Sequence, residues 1–204
     1  MRILLLFFFA FFSICGEAKA AEKESVHQVY FSPNEDLSLR LIHLIDREKK
    51  EVIASTFVFS HREIASALLR AAKRGVAVHL LIDPTAITGK VPFGELADSG
   101  VNVYVWKGVE GAAKKRYPAV MHNKFCVFGG EILWTGSFNF TYAAAKSNCE
   151  NVIVVRSKNL AGIYQKQFFE LLNLGALTLN EYGKWQLSDK PTIKKGKNGR
   201  PLAA

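Results

Sequence analysis

The residues best suited to chemistry lie in one short stretch, VMHNKFCVFGGEILWTGSFNFT, which runs from residue 120 to residue 141. It places a histidine and a lysine two positions apart, His122 and Lys124, and follows them with Ser137 and Asn139. An imidazole can act as a nucleophile, an ammonium group can neutralise an anion, and hydroxyl and amide groups can hold oxygen atoms. These residue types predict a site for an anionic substrate, provided that the fold gathers them.

The strand that contains the histidine and the turn after it would bring the first of these residues together. Residues 120–128 have the apolar content of a β-strand, and its period of two places His122 and Lys124 on one face. Gly129-Gly130 then predicts a tight hairpin turn, because glycine readily adopts positive φ at both central positions.

The return from this turn would complete the site. Residues 131–137 run back antiparallel and carry Ser137 and Asn139 towards the level of the histidine. A helix that starts near Asn139 or Thr141 would add backbone N–H groups where an anion is favoured. The next strand, residues 148–155, would place Glu150 beside the imidazole, where a carboxylate on one ring nitrogen leaves the other free to attack.

The rest of the chain alternates strand and helix patterns, which predicts one α/β domain over residues 26–175 with a central mixed sheet flanked by helices. Parallel strands follow from the alternation, and antiparallel strands follow from the hairpin. The strands are expected at residues 26–31, 51–59, 76–83 and 101–106, and the helices at residues 36–50, 60–75 and 91–99.

The formal charge of +9 favours a polyanionic partner, either nucleic acid or an anionic lipid surface. Lys114, Lys115 and Arg116 lie in the Gly/Ala-rich loop 107–119 directly before the histidine strand, where they would form a phosphate-facing lip. Residues 181–204 contain six Lys and Arg residues against two acidic ones, which predicts a flexible basic tail that either solubilises the chain or attracts a polyanion.

The amino terminus predicts export to the periplasm or the exterior. Arg2 precedes an apolar run from Ile3 to Cys15, and Ala18-Lys19-Ala20 has the small residues of a cleavage site, so residues 1–20 form a secretory signal. The apolar run is too short for a spanning helix, which needs about 20 residues.

Three separated motifs resemble the phospholipase D superfamily: HNK at 122–124, TGSFNFT at 135–141 and NCEN at 148–151. They are most similar to its small single-motif members, the secreted or periplasmic bacterial endonucleases and their relative, mitochondrial cardiolipin hydrolase. The resemblance extends from about Val26 to Leu174 and implies that family's fold.

The resemblance also implies a role for each site residue. His122 would attack phosphorus and carry a covalent phosphohistidine, and Glu150 would orient it. Lys124, Asn139 and Ser137 would hold the non-bridging oxygens. No cofactor is implied, and no cluster of His, Cys and Asp has the spacing of a metal site.

One position departs from the family pattern, because Gly129 stands where the motif carries an aspartate. No step of the implied mechanism needs that carboxylate, but the departure leaves a catalytically impaired binder of nucleic acid or membrane as one alternative. A phospholipase acting on anionic lipids is another, because it would share every catalytic residue.

The number of histidine motifs predicts the assembly. Hydrolysis in two displacements needs one imidazole to attack and a second to serve as acid and then base. The chain has a single His-x-Lys set, so we expect a homodimer in which His122 of each copy faces one shared site.

Overall fold

The computed structural model describes residues 27–109 and 119–188 of the 204-residue chain. The predicted signal at residues 1–20 and most of the basic loop, including Lys114, Lys115 and Arg116, lie outside these ranges. Eight strands and six helices are described: β1 His27–Ser32, α1 Leu37–Arg47, β2 Glu51–Thr56, α2 Arg62–Lys73, β3 Ala77–Ile82, α3 Phe93–Asp98, β4 Val101–Trp106, β5 Phe125–Phe128, β6 Ile132–Gly136, α4 Tyr142–Lys146, β7 Glu150–Arg156, α5 Lys158–Gly175, β8 Ala176–Thr178 and α6 Leu179–Ser188.

All eight strands form one mixed sheet in the order β1-β7-β6-β5-β2-β3-β4-β8. Strands β2, β3 and β4 are parallel, and every other neighbouring pair is antiparallel. This arrangement confirms the predicted α/β fold with a central mixed sheet. It also brings the carboxyl ends of β2 and β3 to the edge of the sheet from which β5 starts.

Both faces of the sheet are covered, so its central strands are apolar on both sides. In β2, Val52 and Ala54 pack into the larger core beneath α1, α2 and α3, whereas Ile53 points to the opposite side. On that opposite side, α5 buries Ala161 and Phe168 against the sheet. The period of two thus divides one apolar run between two cores.

The helix boundaries follow local capping. Asp36 caps α1, because its carboxylate accepts hydrogen bonds from the N–H groups of Ser38 and Leu39 at 3.0 and 3.3 Å. α2 begins two residues later than the helix expected at residues 60–75, because His61 occupies the cap position and the N–H of Ser60 donates to the carbonyl of Phe140. Gly75, the last residue of the expected range, follows the end of that helix with φ of +85°.

The chain continues its fold beyond the predicted end at residue 175. β8 pairs antiparallel with β4, and α6 follows it directly. Tyr182 of α6 is buried in the larger core, so residues 181–188 belong to the domain rather than to a flexible tail. Residues 189–204, which hold most of the predicted basic tail, lie outside the described part.

Candidate active site

The segment that carries the histidine is shorter as a strand than predicted. β5 begins at Phe125, so residues 119–124 precede the sheet instead of belonging to it. The reason lies in the partner strand: β2 pairs with β5 only as far as Ser55 opposite Phe125, and β2 ends one residue later at Thr56. His122 therefore stands on irregular backbone beyond the edge of the sheet.

His122 and Lys124 are in direct contact. The Nζ atom of Lys124 lies 3.2 Å from Nδ1 of His122 and donates to the carbonyl oxygen of the same residue at 2.8 Å. The ring of Phe57 packs against both, with its centre 4.6 Å from the centre of the imidazole and 5.5 Å from Nζ. Burial lowers the pKa of Lys124, and the charge of Glu150 partly offsets this.

Ser137 and Glu150 form a second polar group, at the end of β6 and the start of β7. The hydroxyl of Ser137 donates to Oε2 of Glu150 at 2.5 Å, and the side-chain amide of Asn148 donates to Oε1 at 3.1 Å. The N–H of Asn151 donates to the Ser137 hydroxyl at 3.1 Å. Both oxygens of Glu150 thus have partners.

The predicted contact between Glu150 and His122 is absent from this structure, in which no hydrogen bond joins these two described residues. The carboxylate turns instead to Ser137 and Asn148, which are closer along the β6–β7 pair. The negative charge of Glu150 raises the pKa of Lys124 and so favours its ammonium form beside His122. Its orienting role stays a prediction.

Asn139 is held with its amide nitrogen available. Its Oδ1 atom accepts a hydrogen bond from the N–H of Val58 at 3.2 Å, which ties the loop after β6 to the end of β2. Thr141, one of the two predicted caps, begins α4 by accepting from the N–H of Ala144 at 3.1 Å. The Nδ2 group of Asn139 has no hydrogen-bond partner among the described residues, and it is a donor suited to an anionic oxygen.

The predicted hairpin turn is confirmed. Gly129 and Gly130 adopt φ of +55° and +69°, and β6 returns antiparallel from them. This turn lies at the opposite end of β5 from His122, and the four-residue strand between them is roughly 13 Å long. A carboxylate at position 129 would therefore lie far from His122, beside Glu48, whose oxygens are 3.2 Å from where a Cβ would stand.

Two further residues at this edge were missed from the sequence. Phe57 follows β2 and covers His122, and Asp83 follows β3 and accepts a hydrogen bond from the N–H of Met121 at 3.0 Å. Asp83 had a usable signal, because it ends the apolar run VAVHLLID at the carboxyl end of a parallel strand, where functional groups gather. Phe57 had none, since its pattern matches a buried strand residue.

No metal site or membrane span emerges from the part of the chain that the structure describes. Residues 27–109 and 119–188 contain no group of three or more His, Cys, Asp or Glu side chains placed to hold a metal ion. In the same ranges, no helix has the length and apolar character needed to cross a bilayer.

Comparison with known proteins identifies the arrangement. Residues 41–172 match the family model described as cardiolipin synthase, PLD-like domain. The chain is 32% identical over 135 residues to phospholipase D of Rickettsia felis, covering 66% of this chain and 63% of that protein. It is 33% identical over 148 residues to mitochondrial cardiolipin hydrolase of Danio rerio, covering 71% of this chain and 55% of the relative.

Solved structures agree with this assignment. Nuc from Salmonella typhimurium, a phospholipase D family member, aligns with a TM-score of 0.63 and 29% identity over 74% of this chain and 97% of its own. NucT from Helicobacter pylori shares the fold, with a TM-score of 0.68 and 23% identity over 74% of this chain and 98% of its own. The chain spans less than two thirds of the length of the two curated relatives. The fold, the motif residues and the family match together show that this chain belongs to the phospholipase D superfamily.

Proposed function

We propose that this chain is an exported phosphodiesterase that hydrolyses DNA or RNA without a metal ion, through a phosphohistidine, at a site shared by two copies. The contact between His122 and Lys124 carries the proposal, because it joins a nucleophile to a cation beside the Ser137–Glu150 pair. Family membership supports the reaction class.

In the first displacement, a lone pair of the His122 imidazole attacks phosphorus while the bond from phosphorus to the leaving oxygen breaks. A second imidazole donates a proton to that leaving oxygen. In the second displacement the same imidazole takes a proton from water, the resulting hydroxide attacks phosphorus, and the P–N bond breaks to restore His122. Lys124 and the Nδ2 group of Asn139 hold the non-bridging oxygens as charge develops on them.

The contact between Lys124 and His122 bears on the order in which substrate binding and attack occur. While its ammonium donates to Nδ1 of His122, the lone pair of that nitrogen is occupied. Phosphate oxygens compete for the same ammonium and draw it towards the substrate. Binding of the anion therefore precedes release of the imidazole for attack.

The second imidazole comes from a second copy of the chain. His43 contacts Arg47 on α1, His61 stacks on Tyr142, and His79 packs against α5, so these three are engaged elsewhere. His27 lies opposite Val155, at the end of β1 away from Ser32, the residue that faces Glu150. Large apolar side chains are exposed near the site: Val120 is 50% exposed two residues before His122, and Phe31 is 54% exposed opposite Asn151 in the sheet. A second copy would cover such surface.

Nucleic acid is the favoured substrate, and anionic phospholipid is the second candidate. The net charge of +9 favours phosphate-rich polymers, and the basic residues at 114–116 and in the tail remain part of that prediction. The relatives named phospholipase D and mitochondrial cardiolipin hydrolase favour a lipid. Both substrates present a phosphodiester, so the same residues would serve either.

One assay compares the candidates. The purified protein is given plasmid, single-stranded DNA, RNA and cardiolipin vesicles side by side, each with and without EDTA, together with the His122→Ala and His43→Ala variants. We expect cleavage of at least one nucleic acid that persists in EDTA, is lost in His122→Ala and is kept in His43→Ala. Cleavage of cardiolipin alone would favour the lipid candidate, and loss in EDTA that a divalent ion restores would refute the metal-free mechanism.

Wild-type protein that binds nucleic acid but turns over none of the substrates, including bis-p-nitrophenyl phosphate, would instead make it an impaired binder. Deleting residues 189–204 should reduce the salt dependence of nucleic-acid binding while turnover of that small phosphodiester stays nearly unchanged. An equal loss of nucleic-acid binding and of turnover of the small phosphodiester would contradict the prediction that the tail attracts nucleic acid.

Mixed dimers test the shared site. Wild-type and His122→Ala chains with different affinity tags are co-expressed, and the heterodimer is isolated by two purification steps. If each reaction needs both imidazoles, the heterodimer loses most of its turnover although one nucleophile remains. A heterodimer with half or more of wild-type turnover, or a monomer active at full rate in light scattering, would refute sharing.

Export is tested on the protein expressed with its own amino terminus in a Gram-negative host. We expect the periplasmic fraction to contain a chain that begins at Ala21, after the Ala18-Lys19-Ala20 sequence. A chain found only in the cytoplasm with Met1 retained would contradict the signal.

A further inference from the structure

The backbone that carries His122 is not held by the hydrogen-bond ladder of the sheet. Residues 119–124 belong to no strand, and the ladder between β2 and β5 stops at Phe125, three residues after the nucleophile. A reacting group misplaced by about 1 Å loses on the order of a hundredfold in rate. Something other than the sheet must therefore fix the position of this segment.

Asp83 supplies the shortest tie from the scaffold to the backbone of this segment. It follows the last residue of β3, and only 3% of it is exposed. Its Oδ1 atom accepts from the N–H of Thr85 at 3.0 Å, and its Oδ2 atom accepts from the N–H of Met121 at 3.0 Å. One carboxylate thus links the turn after β3 to the residue directly before His122.

Met121 is held at both of its ends. Its side chain is 2% exposed and packs in the core that Leu81, Trp106 and Phe125 share. Because its side chain is buried and its N–H is bonded to Asp83, the direction in which the chain enters His122 has little freedom. The core alone would fix the side chain but not the peptide.

The other hydrogen bonds from the scaffold to this segment are longer and join neutral groups. The indole N–H of Trp106 donates to the carbonyl of Ala119 at 3.3 Å, and the hydroxyl of Thr135 donates to the carbonyl of Lys124 at 3.4 Å. Hydrogen bonds to an ionised group are roughly twice as strong as neutral ones. A buried carboxylate is also costly unless donors surround it, so the two N–H groups and the charge stabilise one another.

We propose that Asp83 is a positioning residue for the reaction: its buried carboxylate holds the Met121 amide and thereby sets where His122 stands relative to Ser137 and Asn139. The catalytic part of this inference rests on the proposed function. Asp83 touches no substrate and takes no proton. Its loss should lower the rate of the bound complex more than it weakens substrate binding.

The test uses Asp83→Asn, which keeps the side-chain volume, and Asp83→Ala. Asp36→Ala is the matched control, because Asp36 is also a capping carboxylate that accepts two backbone N–H bonds, but at α1. Kinetics on bis-p-nitrophenyl phosphate give kcat and KM for each folded variant, and NMR hydrogen exchange follows the Met121 amide.

We expect both Asp83 variants to speed exchange at Met121 and to lower kcat by about 10- to 100-fold, with KM changed less than about threefold. Asp36→Ala should lose thermal stability but keep kcat and the exchange of Met121 near wild type. If Asp83→Ala does not fold, the exchange and kinetics of Asp83→Asn alone decide whether Asp83 positions His122.

Asp83→Asn with wild-type exchange and kcat would overturn the proposal, as would an equal fall in kcat in Asp36→Ala. Exchange that speeds up without loss of kcat would also overturn it. If the wild type itself turns over no phosphodiester, the proposed function fails, and the exchange of Met121 still decides whether Asp83 holds this segment.

Discussion

Gly136 is the residue at which a single methyl group should do most damage to the site. It is the last residue of β6 and lies opposite Val152 of β7, directly before Ser137. A Cβ atom built on Gly136 would stand 2.1 Å from the carbonyl oxygen of Asn151 and 2.9 Å from its carbon. Its φ is not among the positive values, so the obstacle is steric rather than torsional.

The size of the effect follows from that contact. Real Cβ atoms essentially never approach closer than 3.0 Å, so the Gly136→Ala variant must separate the two backbones by roughly 0.9 Å. The same carbonyl of Asn151 accepts from the N–H of Ser137 at 3.0 Å, and this bond would be lost. We expect a loss of about 1–3 kcal/mol in the free energy of unfolding, as for overpacked sites. We also expect kcat to fall on the order of a hundredfold, because Ser137 and the Glu150 carboxylate bonded to it would both be displaced relative to His122.

Gly162→Ala is the matched control. Gly162 lies inside α5, and a Cβ atom there would meet nothing within 4 Å, so the change should stabilise the protein by about 0.5–1 kcal/mol. Urea unfolding gives the stability of both variants, and bis-p-nitrophenyl phosphate gives kcat where each is fully folded. A Gly136→Ala protein with wild-type stability and kcat would refute the close approach of β6 and β7.

Three further tests address the electrostatics of the fold and site. Gly129→Asp should lower the free energy of unfolding by about 1–2 kcal/mol in urea, because it forces positive φ on a residue facing the Glu48 carboxylate. Glu48→Gln in that background should restore part of the loss; no restoration would contradict the repulsion. Because burial lowers the pKa of Lys124, kcat should fall with rising pH at a pKa below about 10.4. Lys124→Arg, measured over the same pH range, should shift this fall to higher pH; an unshifted profile would assign the titration elsewhere. Burial also lowers the pKa of His61, so the unfolded chain binds a proton that the folded chain does not, and stability should decline as pH falls below about 6.5. His61→Phe, which keeps a ring against Tyr142, should flatten urea stability between pH 5 and pH 7, and an unchanged slope would exclude His61.

The features that could be predicted from the sequence are those that local chemistry determines. Gly129-Gly130 had to form a tight turn because few other residue pairs adopt positive φ twice. The apolar run in β2 had to be buried on both faces, and Gly75 had to end α2. Each of these depends on a residue and its immediate neighbours.

The features that were missed depend on distant partners. Residues 120–124 have the composition of a strand, but they do not form one. β2 ends at Thr56 and therefore offers them no backbone groups for hydrogen-bonded pairing. β8 has only three residues, and it is a strand because β4 offers it an edge. Glu150 was expected at His122, but its nearest donors are Ser137 and Asn148, whose positions only the folded sheet reveals.

The geometry of Lys124 explains why a lysine suits this position better than an arginine. Its ammonium carries three N–H donors, of which one bonds the carbonyl of His122 at 2.8 Å and a second faces Nδ1 of the same residue at 3.2 Å. One donor therefore stays available to attract a phosphate oxygen before the contact with Nδ1 is released. A guanidinium is a rigid planar fork that cannot direct donors to a carbonyl, a ring nitrogen and a phosphate from one point. Lys124→Arg should accordingly keep the charge and lower turnover without abolishing it, because the cation would no longer be centred beside His122.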